Sequence, residues 1–149
     1  MNEIKVKIKI LKNGINIPEY ATPGSAAVDL RSALDGDITV LPGKRALVPT
    51  GIAIAPETSG VVAILAARSG LSVKHGITLT NGIGVIDSDY RGEIAVSLCN
   101  ISDTPYTVTP GERIAQLMFV PVLHADFVCT AELDGTDRGE GGFGSTGKV

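Results

Sequence analysis

Apolar and polar residues alternate with a period of two over much of this chain. Lys5 to Ile10 sets the pattern, with Val6, Ile8 and Ile10 on one face. Further β-rich runs follow at Asp37–Val40, Ala46–Ala55, Val61–Ala66, Thr78–Leu79, Gly92–Asn100, Tyr106–Thr109 and Ile114–Val122. Turn residues separate them at short intervals: Pro42-Gly43, Pro49-Thr-Gly51, Pro56, Gly60, Pro110-Gly111 and Pro121. Short strands at this spacing predict an all-β sandwich or barrel. A parallel α/β sheet would need helical segments between its strands, and the one helix candidate is the short Ser69–His75. No internal repeat or linker interrupts the chain. The pattern therefore predicts a single domain over 1–149, with a core to about 134 and a flexible glycine-rich C-terminal arm over 135–149.

Length and charge narrow the classes. A chain of 149 residues is long enough to bury one real core. A formal net charge of −3 argues against a broad nucleic-acid-binding face. The N-terminal alternation of charged and apolar residues reads as a strand and not a signal peptide, and Gly60–Ala67 is too short to cross a bilayer. Cys99 and Cys129 stand apart without a C-x-x-C pair, as expected of reduced, buried thiols in a cytoplasmic protein. His75 and His124 lack metal-ligand spacing, so no protein-held zinc site is expected.

Four segments carry candidate chemistry. Arg138-Gly-Glu-Gly-Gly-Phe-Gly-Ser-Thr-Gly147 is rich in glycine, which lets backbone N–H groups turn toward a phosphate, and Ser145, Thr146 and Arg138 add donors. Phe143 is left as the one large apolar side chain, free to cover a flat ligand. The segment mimics both G-x-G-x-x-G and the P-loop, but both need a helix after the glycines. Only Lys148 and Val149 follow, and Ser145 stands at the P-loop lysine position, so a Rossmann or P-loop site is excluded.

Ala67-Arg68-Ser69-Gly70 opens the helix candidate with Ser69 at the expected N-cap, and is either a plain helix cap beside a surface Arg or an anion site to which Arg68 is suited. Asn81-Gly-Ile-Gly84-Val85-Ile86-Asp87-Ser-Asp-Tyr90-Arg-Gly-Glu reads as a β-hairpin turning at Ser88, with Asn81 opposite Ala95. Asp87 there is either a turn residue or a general base on rigid strand ends; Tyr90 is either a cross-strand packing residue or a flat wall. Gln116 is polar among apolar neighbours in a β run, suited equally to an outward strand position and to a ligand contact.

Together these segments resemble the homotrimeric dUTPases. That family carries five ordered motifs, and each has a counterpart here: Ala26-Ala-Val-Asp29-Leu-Arg, Arg68-Ser-Gly70, Asn81 through Gly92, Gly111-Glu-Arg-Ile-Ala-Gln116, and Arg138 through Gly147. The one departure is Ala27-Val28, where the family usually has Gly and a variable residue before Asp29. The resemblance implies a jelly-roll, β-barrel-like (β-clip) fold and a homotrimer with shared active sites. It also implies hydrolysis of dUTP to dUMP and pyrophosphate, which limits uracil in DNA and supplies dUMP for thymidylate synthesis.

On that resemblance Asp87 activates the water that attacks the α-phosphorus. Mg²⁺ rides on the triphosphate without a direct protein ligand, with Asp29 reaching it through water. Arg68, Ser69, Gly70, Gln116, Arg138, Gly144, Ser145 and Thr146 hold phosphate, and Phe143 stacks on uracil. Tyr90 packs against deoxyribose and excludes a 2′-hydroxyl. Asn81, Gly84, Val85, Ile86 and Ala95 read the base through backbone groups, and Gly82 and Gly84 permit a close approach. Hydrogen-bond mismatch against cytosine can discriminate by ~10⁴-fold, far more than exclusion of one methyl by space. Two alternatives share the fold: a dCTP deaminase, which would want a Glu where Ser97 stands, and a non-catalytic dUTP binder, which would not need Asp87.

Overall fold

Alternation becomes eleven strands and one helix in the computed structural model, which describes residues 3–142. The strands are β1 (Val6–Ile10), β2 (Val28–Arg31), β3 (Ile38–Val40), β4 (Arg45–Pro49), β5 (Ile52–Pro56), β6 (Val61–Ala66), β7 (Ile77–Leu79), β8 (Gly84–Ile86), β9 (Ala95–Asn100), β10 (Tyr106–Val108) and β11 (Arg113–Pro121). Helix α1 spans Ser69–His75. Every pairing is antiparallel, in the orders β1-β5, β10-β3, β2-β11-β6-β8 and β4-β9-β7. This is the expected all-β, jelly-roll-like fold.

The core is wholly aliphatic. Every strand except β1 places a buried residue in it, from Val28 and Leu30 through Leu65, Ile86, Val96 and Leu98 to Ile114 and Leu117. Full burial of each such side chain contributes about 1.5–3 kcal/mol. Tyr106 and Phe119 only pack against its margin. Strand β11 buries Ile114 and Ala115 in succession, which strict alternation forbids; a register shift between Arg113 and Ala115 explains it.

Two elements differ from the sequence pattern. The run Ala46–Ala55 is two strands, because Gly51 turns the chain at φ 71. A Cβ there would lie 2.7 Å from Ile15 Cγ1, so glycine is required for space as well as for conformation. Helix α1 covers the expected residues, but its N-cap is Arg68 in extended conformation, with no side-chain cap bond. Ser69 is the first helical residue, and its hydroxyl does not cap the turn.

Asn100 ties β9 to its surroundings. It is 1% exposed; its Nδ2 donates to Val40 O at 2.9 Å and Thr104 O at 2.7 Å, and its Oδ1 accepts from Ser102 N at 2.9 Å. Asn100→Ala leaves these groups unpaired and is expected to cost about 2 kcal/mol or more, read as a lower urea midpoint. An unmoved midpoint would contradict this account of the β3–β9 junction.

Candidate active site

The expected hairpin around Ser88 does not form a ladder. Strand β8 pairs with β6, Gly84 opposite Leu65 and Ile86 opposite Ala63, and is the edge of its sheet. Strand β9 lies in a different sheet, between β4 and β7. Its pairing with β7 runs from Asn100 to Leu98 and is extended by Thr80 N donating to Ser97 O at 2.8 Å. Ala95 and Val96 have no partner on that side among the described residues. The two arms therefore separate and leave a cavity of about 280 Å³ between them.

Asn81, Gly84, Val85, Ile86, Asp87, Tyr90 and Ala95 all line this cavity. Asn81 and Ala95 are thus brought together across the space and not through a ladder. The physical reason is that β8 spends its hydrogen bonds on β6, and Ile86 belongs to the core. The free edges of β8 and β9 supply backbone N–H and C=O groups to whatever fills the gap.

Glycine acts differently at the two positions expected to allow close approach. Gly84 is required by β6, since a Cβ there would lie 2.9 Å from Leu65 Cβ. Gly82 meets nothing within 4 Å and is required only by its φ of 73.

The apex is held by the chain itself. Asp87 O accepts from Tyr90 N at 3.1 Å, and Arg91 Nη1 donates to Ser88 O at 2.8 Å and Tyr90 O at 2.9 Å. Asp87 is exposed at the cavity margin. Ser97, also in the lining, donates its hydroxyl to Thr80 Oγ1 at 3.0 Å. Glu93 is the other carboxylate of the lining, and its Oε1 accepts from Gly51 N at 2.8 Å.

A second cluster centres on Asp29. In the sheet, Gln116 of β11 stands between Asp29 of β2 and Ala66 of β6. Beyond Ala66 the chain turns into α1, and Arg68 reaches back to Asp29, Nε to Oδ1 at 2.9 Å. Arg113 Nη1 binds the other oxygen at 3.2 Å, and Arg31 Nη1 donates to Gly111 O at 2.8 Å. Asp29 and Gln116 line a cavity of about 320 Å³. Two guanidiniums, Arg68 and Arg113, bind the one Asp29 carboxylate, and bidentate guanidinium groups of this kind suit phosphate oxygens. Arg31 and Arg113 lie inside the Ala26–Arg31 and Gly111–Gln116 motifs, but only the register of β2 against β11, which sets the two opposite each other, singles them out.

The two clusters share no lining residue, and Arg68, Ser69 and Gly70 line neither cavity. Arg138 also lines neither; its Nε donates to Gly141 O at 2.8 Å within a local turn. Phe143, Gly144, Ser145 and Thr146 lie outside the described residues. Among the described residues no group of three or more His, Cys, Asp or Glu could hold a metal ion.

A jelly-roll-like fold with a cleft between free strand edges and a separate arginine–carboxylate cluster defines an all-β protein built around a polar, anion-seeking site. The dUTPase family model matches residues 13–147. The deoxyuridine 5'-triphosphate nucleotidohydrolase of Desulfitobacterium hafniense (strain DSM 10664 / DCB-2) is 51% identical over 149 residues, 99% of each chain. That of Shewanella sp. (strain ANA-3) is 51% identical over 146 residues, 95% of this chain and 96% of its own. Among solved structures, the dUTPase of Staphylococcus bacteriophage 80alpha with dUPNHPP superimposes with a TM-score of 0.86 at 27% identity, covering 96% of this chain and 98% of that one. The dUTPase of phage phi11 of S. aureus, whose structure is described as revealing coordination of a structural Mg(II) ion, shares the fold at a TM-score of 0.78 and 21% identity, over 88% and 99%. The chain belongs to the dUTPase family.

Tyr106 braces the turn that leads into β11. Its hydroxyl donates to Glu112 Oε1, Glu112 Oε2 accepts from Thr109 N at 2.9 Å, and its ring packs on His75 at the end of α1, centroids 5.0 Å apart. Burial, then the bond to and charge of Glu112, push the Tyr106 phenol up to about 12 from 10.0. The folded state holds this proton more tightly than the unfolded one, so the stabilisation is complete below pH 10 and lost as pH rises toward about 12. A difference titration at tyrosinate absorbance, wild type minus Tyr106→Phe, should rise near pH 12. Ionisation of Tyr106 near 10 would contradict this bracing.

Proposed function

We propose that the chain hydrolyses dUTP to dUMP and pyrophosphate, with Asp87 as the general base. The observation that carries this is the placement of Asp87 and Tyr90 together at a cleft of base-and-sugar size lined by free strand edges, in a chain of this family. Uracil enters between the β8 and β9 edges, where fixed backbone donors and acceptors match its own. Tyr90 stands against C2′ of deoxyribose, and a ribose hydroxyl collides with its ring.

The Asp87 carboxylate accepts a proton from a water as that water's oxygen attacks the α-phosphorus. The bond from the α-phosphorus to the α–β bridging oxygen breaks, and pyrophosphate leaves. General-base assistance of this kind contributes about 10²–10⁴-fold. Arg68, Ser69, Gly70 and Gln116 hold phosphate oxygens, and Arg138, Phe143, Gly144, Ser145 and Thr146 of the 135–149 arm close over the nucleotide. Asp29 orients Arg68 and Arg113, and its oxygens keep lone pairs for a water on the metal. Mg²⁺ held on the triphosphate, with Asp29 reaching it through water, would offset the charge of the phosphate oxygens.

The chain functions as a homotrimer, and each active site combines the cleft of one subunit with the Arg68–Gln116 cluster of another. Two observations support this: the clusters stand apart in one chain, and residues 122–134 leave Leu123 (99%) and Phe127 (93%) exposed. We place the enzyme in the cytoplasm on its two unpaired cysteines, although Cys129 is exposed and Cys99 half-buried instead of buried as expected. It binds neither nucleic acid nor membrane. Deamination of dCTP is disfavoured because Ser97 offers no carboxylate at the cleft.

Pyrophosphate release in Mg²⁺ should be rapid from dUTP and negligible from dCTP, dTTP and UTP. Asp87→Asn should lower turnover by about 10²-fold or more while dUTP still binds. Full turnover in Asp87→Asn removes Asp87 as the base, and ammonia from dCTP would move the chain to the deaminases.

A further inference from the structure

We propose that Gly92 is the residue that fixes the sugar-excluding pose of Tyr90, and hence sets the discrimination between deoxyribose and ribose. The inference rests on the reading of Tyr90 as the wall beside C2′. Gly92 does not adopt a left-handed φ, so its backbone conformation is open to any L-residue. Space explains the glycine instead. A Cβ at this position would lie 2.2 Å from Tyr90 Oη, 2.5 Å from Cζ and 3.0 Å from Cε2. The far end of the phenol ring therefore rests directly on the Cα of Gly92, at a separation that no side chain permits.

Other contacts hold the ring down on this seat. Tyr90 Oη donates to Glu93 O at 3.2 Å. Glu93 is itself fixed, because its Oε1 accepts from Gly51 N at 2.8 Å. At the near end, Tyr90 N is bonded to Asp87 O at 3.1 Å, so the wall and the base share one turn. The ring is half exposed, at 48%, and has room to swing away. A methyl group at 92 thus has a low-resistance outcome: the backbone stays and the ring leaves its seat. A wall displaced in either direction no longer matches deoxyribose and no longer blocks a 2′-hydroxyl at the same place. Gly92 is a positioning residue, since it touches Tyr90 and not the nucleotide.

The test is a double-mutant cycle on substrate preference. kcat/KM for dUTP and for UTP is measured for wild type, Gly92→Ala, Tyr90→Ala and the double variant, with thermal melts alongside. Gly92→Ala is expected to reduce the dUTP-over-UTP ratio by about tenfold or more, through the kcat/KM ratio and not through loss of the fold. Added to Tyr90→Ala, it should change the ratio no further. If the overlap destabilises the single variant, the double variant should recover the melt of Tyr90→Ala, because removing the ring removes the collision. A wild-type ratio in Gly92→Ala, additive effects of the two substitutions, or a double variant as unstable as Gly92→Ala would each overturn the proposal. A wild type that hydrolyses no dUTP fails at an earlier point, in the reading of the site itself, and takes this proposal with it.

Discussion

Backbone hydrogen bonding at the β8 and β9 edges is the constraint on which the site depends. Buried N–H and C=O groups are almost always paired, and a strand that leaves its neighbour must find another partner. Here the chain passes from an edge strand of one sheet, through a pinned turn, into the middle of another sheet. The two arms that local sequence would zip together are held apart by prior commitments: β8 to β6, and β9 to β4 and β7. The gap between them presents alternating donors and acceptors in fixed positions. A pyrimidine edge, with an imide flanked by two carbonyls, is the kind of partner that a strand edge accepts.

Much of this was legible in the sequence because the core is aliphatic and the strands are short. Val61–Ala66 and Ser69–His75 fall where their patterns place them, since period and punctuation agree there. Strand β2 escaped notice as a strand because four residues with the pattern buried, half-buried, buried, exposed give too brief an alternation. The Ala46–Ala55 run is continuous in apolar residues although Pro49-Thr-Gly51 punctuates it, and the structure shows that the punctuation wins, because Gly51 turns beneath Ile15. The hairpin failed for a different reason. Asn81–Glu93 has every local feature of a two-arm ribbon, and only the non-local competition of β6 for β8 separates the arms. Asp87 and Tyr90 were visible as members of a motif; the cleft that both line was not. Likewise, Ser69 could be named from its motif, but whether its hydroxyl capped the helix depended on where the first turn began.

The Asp29 cluster shows the complementary principle. Its members come from two strands, β2 and β11, and the entrance of a helix, and Asp29 and Arg113 lie 84 positions apart in sequence. Antiparallel register alone brings Gln116 beside Asp29, and the short turn after β6 delivers Arg68 to the same carboxylate. A carboxylate that holds two guanidiniums in place reduces the conformational freedom they would lose on gripping a phosphate. Tyr106 and Glu112 extend that order to the loop before β11. On the proposed function, pre-organised cations at one place and base-reading edges at another divide the labour of one reaction between two surfaces of the chain.

That division is the central claim, and subunit complementation tests it most directly. Asp87→Asn and Arg68→Ala chains, each expected to be inactive alone, are unfolded together in equal amounts and refolded as mixed assemblies. If every active site takes Asp87 from one subunit and Arg68 from its neighbour, about a quarter of the sites regain both groups, and dUTP hydrolysis returns to about that fraction of wild type. Mixed assemblies that stay as inactive as their parents would contradict the account, because they would mean that each subunit supplies both groups to its own site.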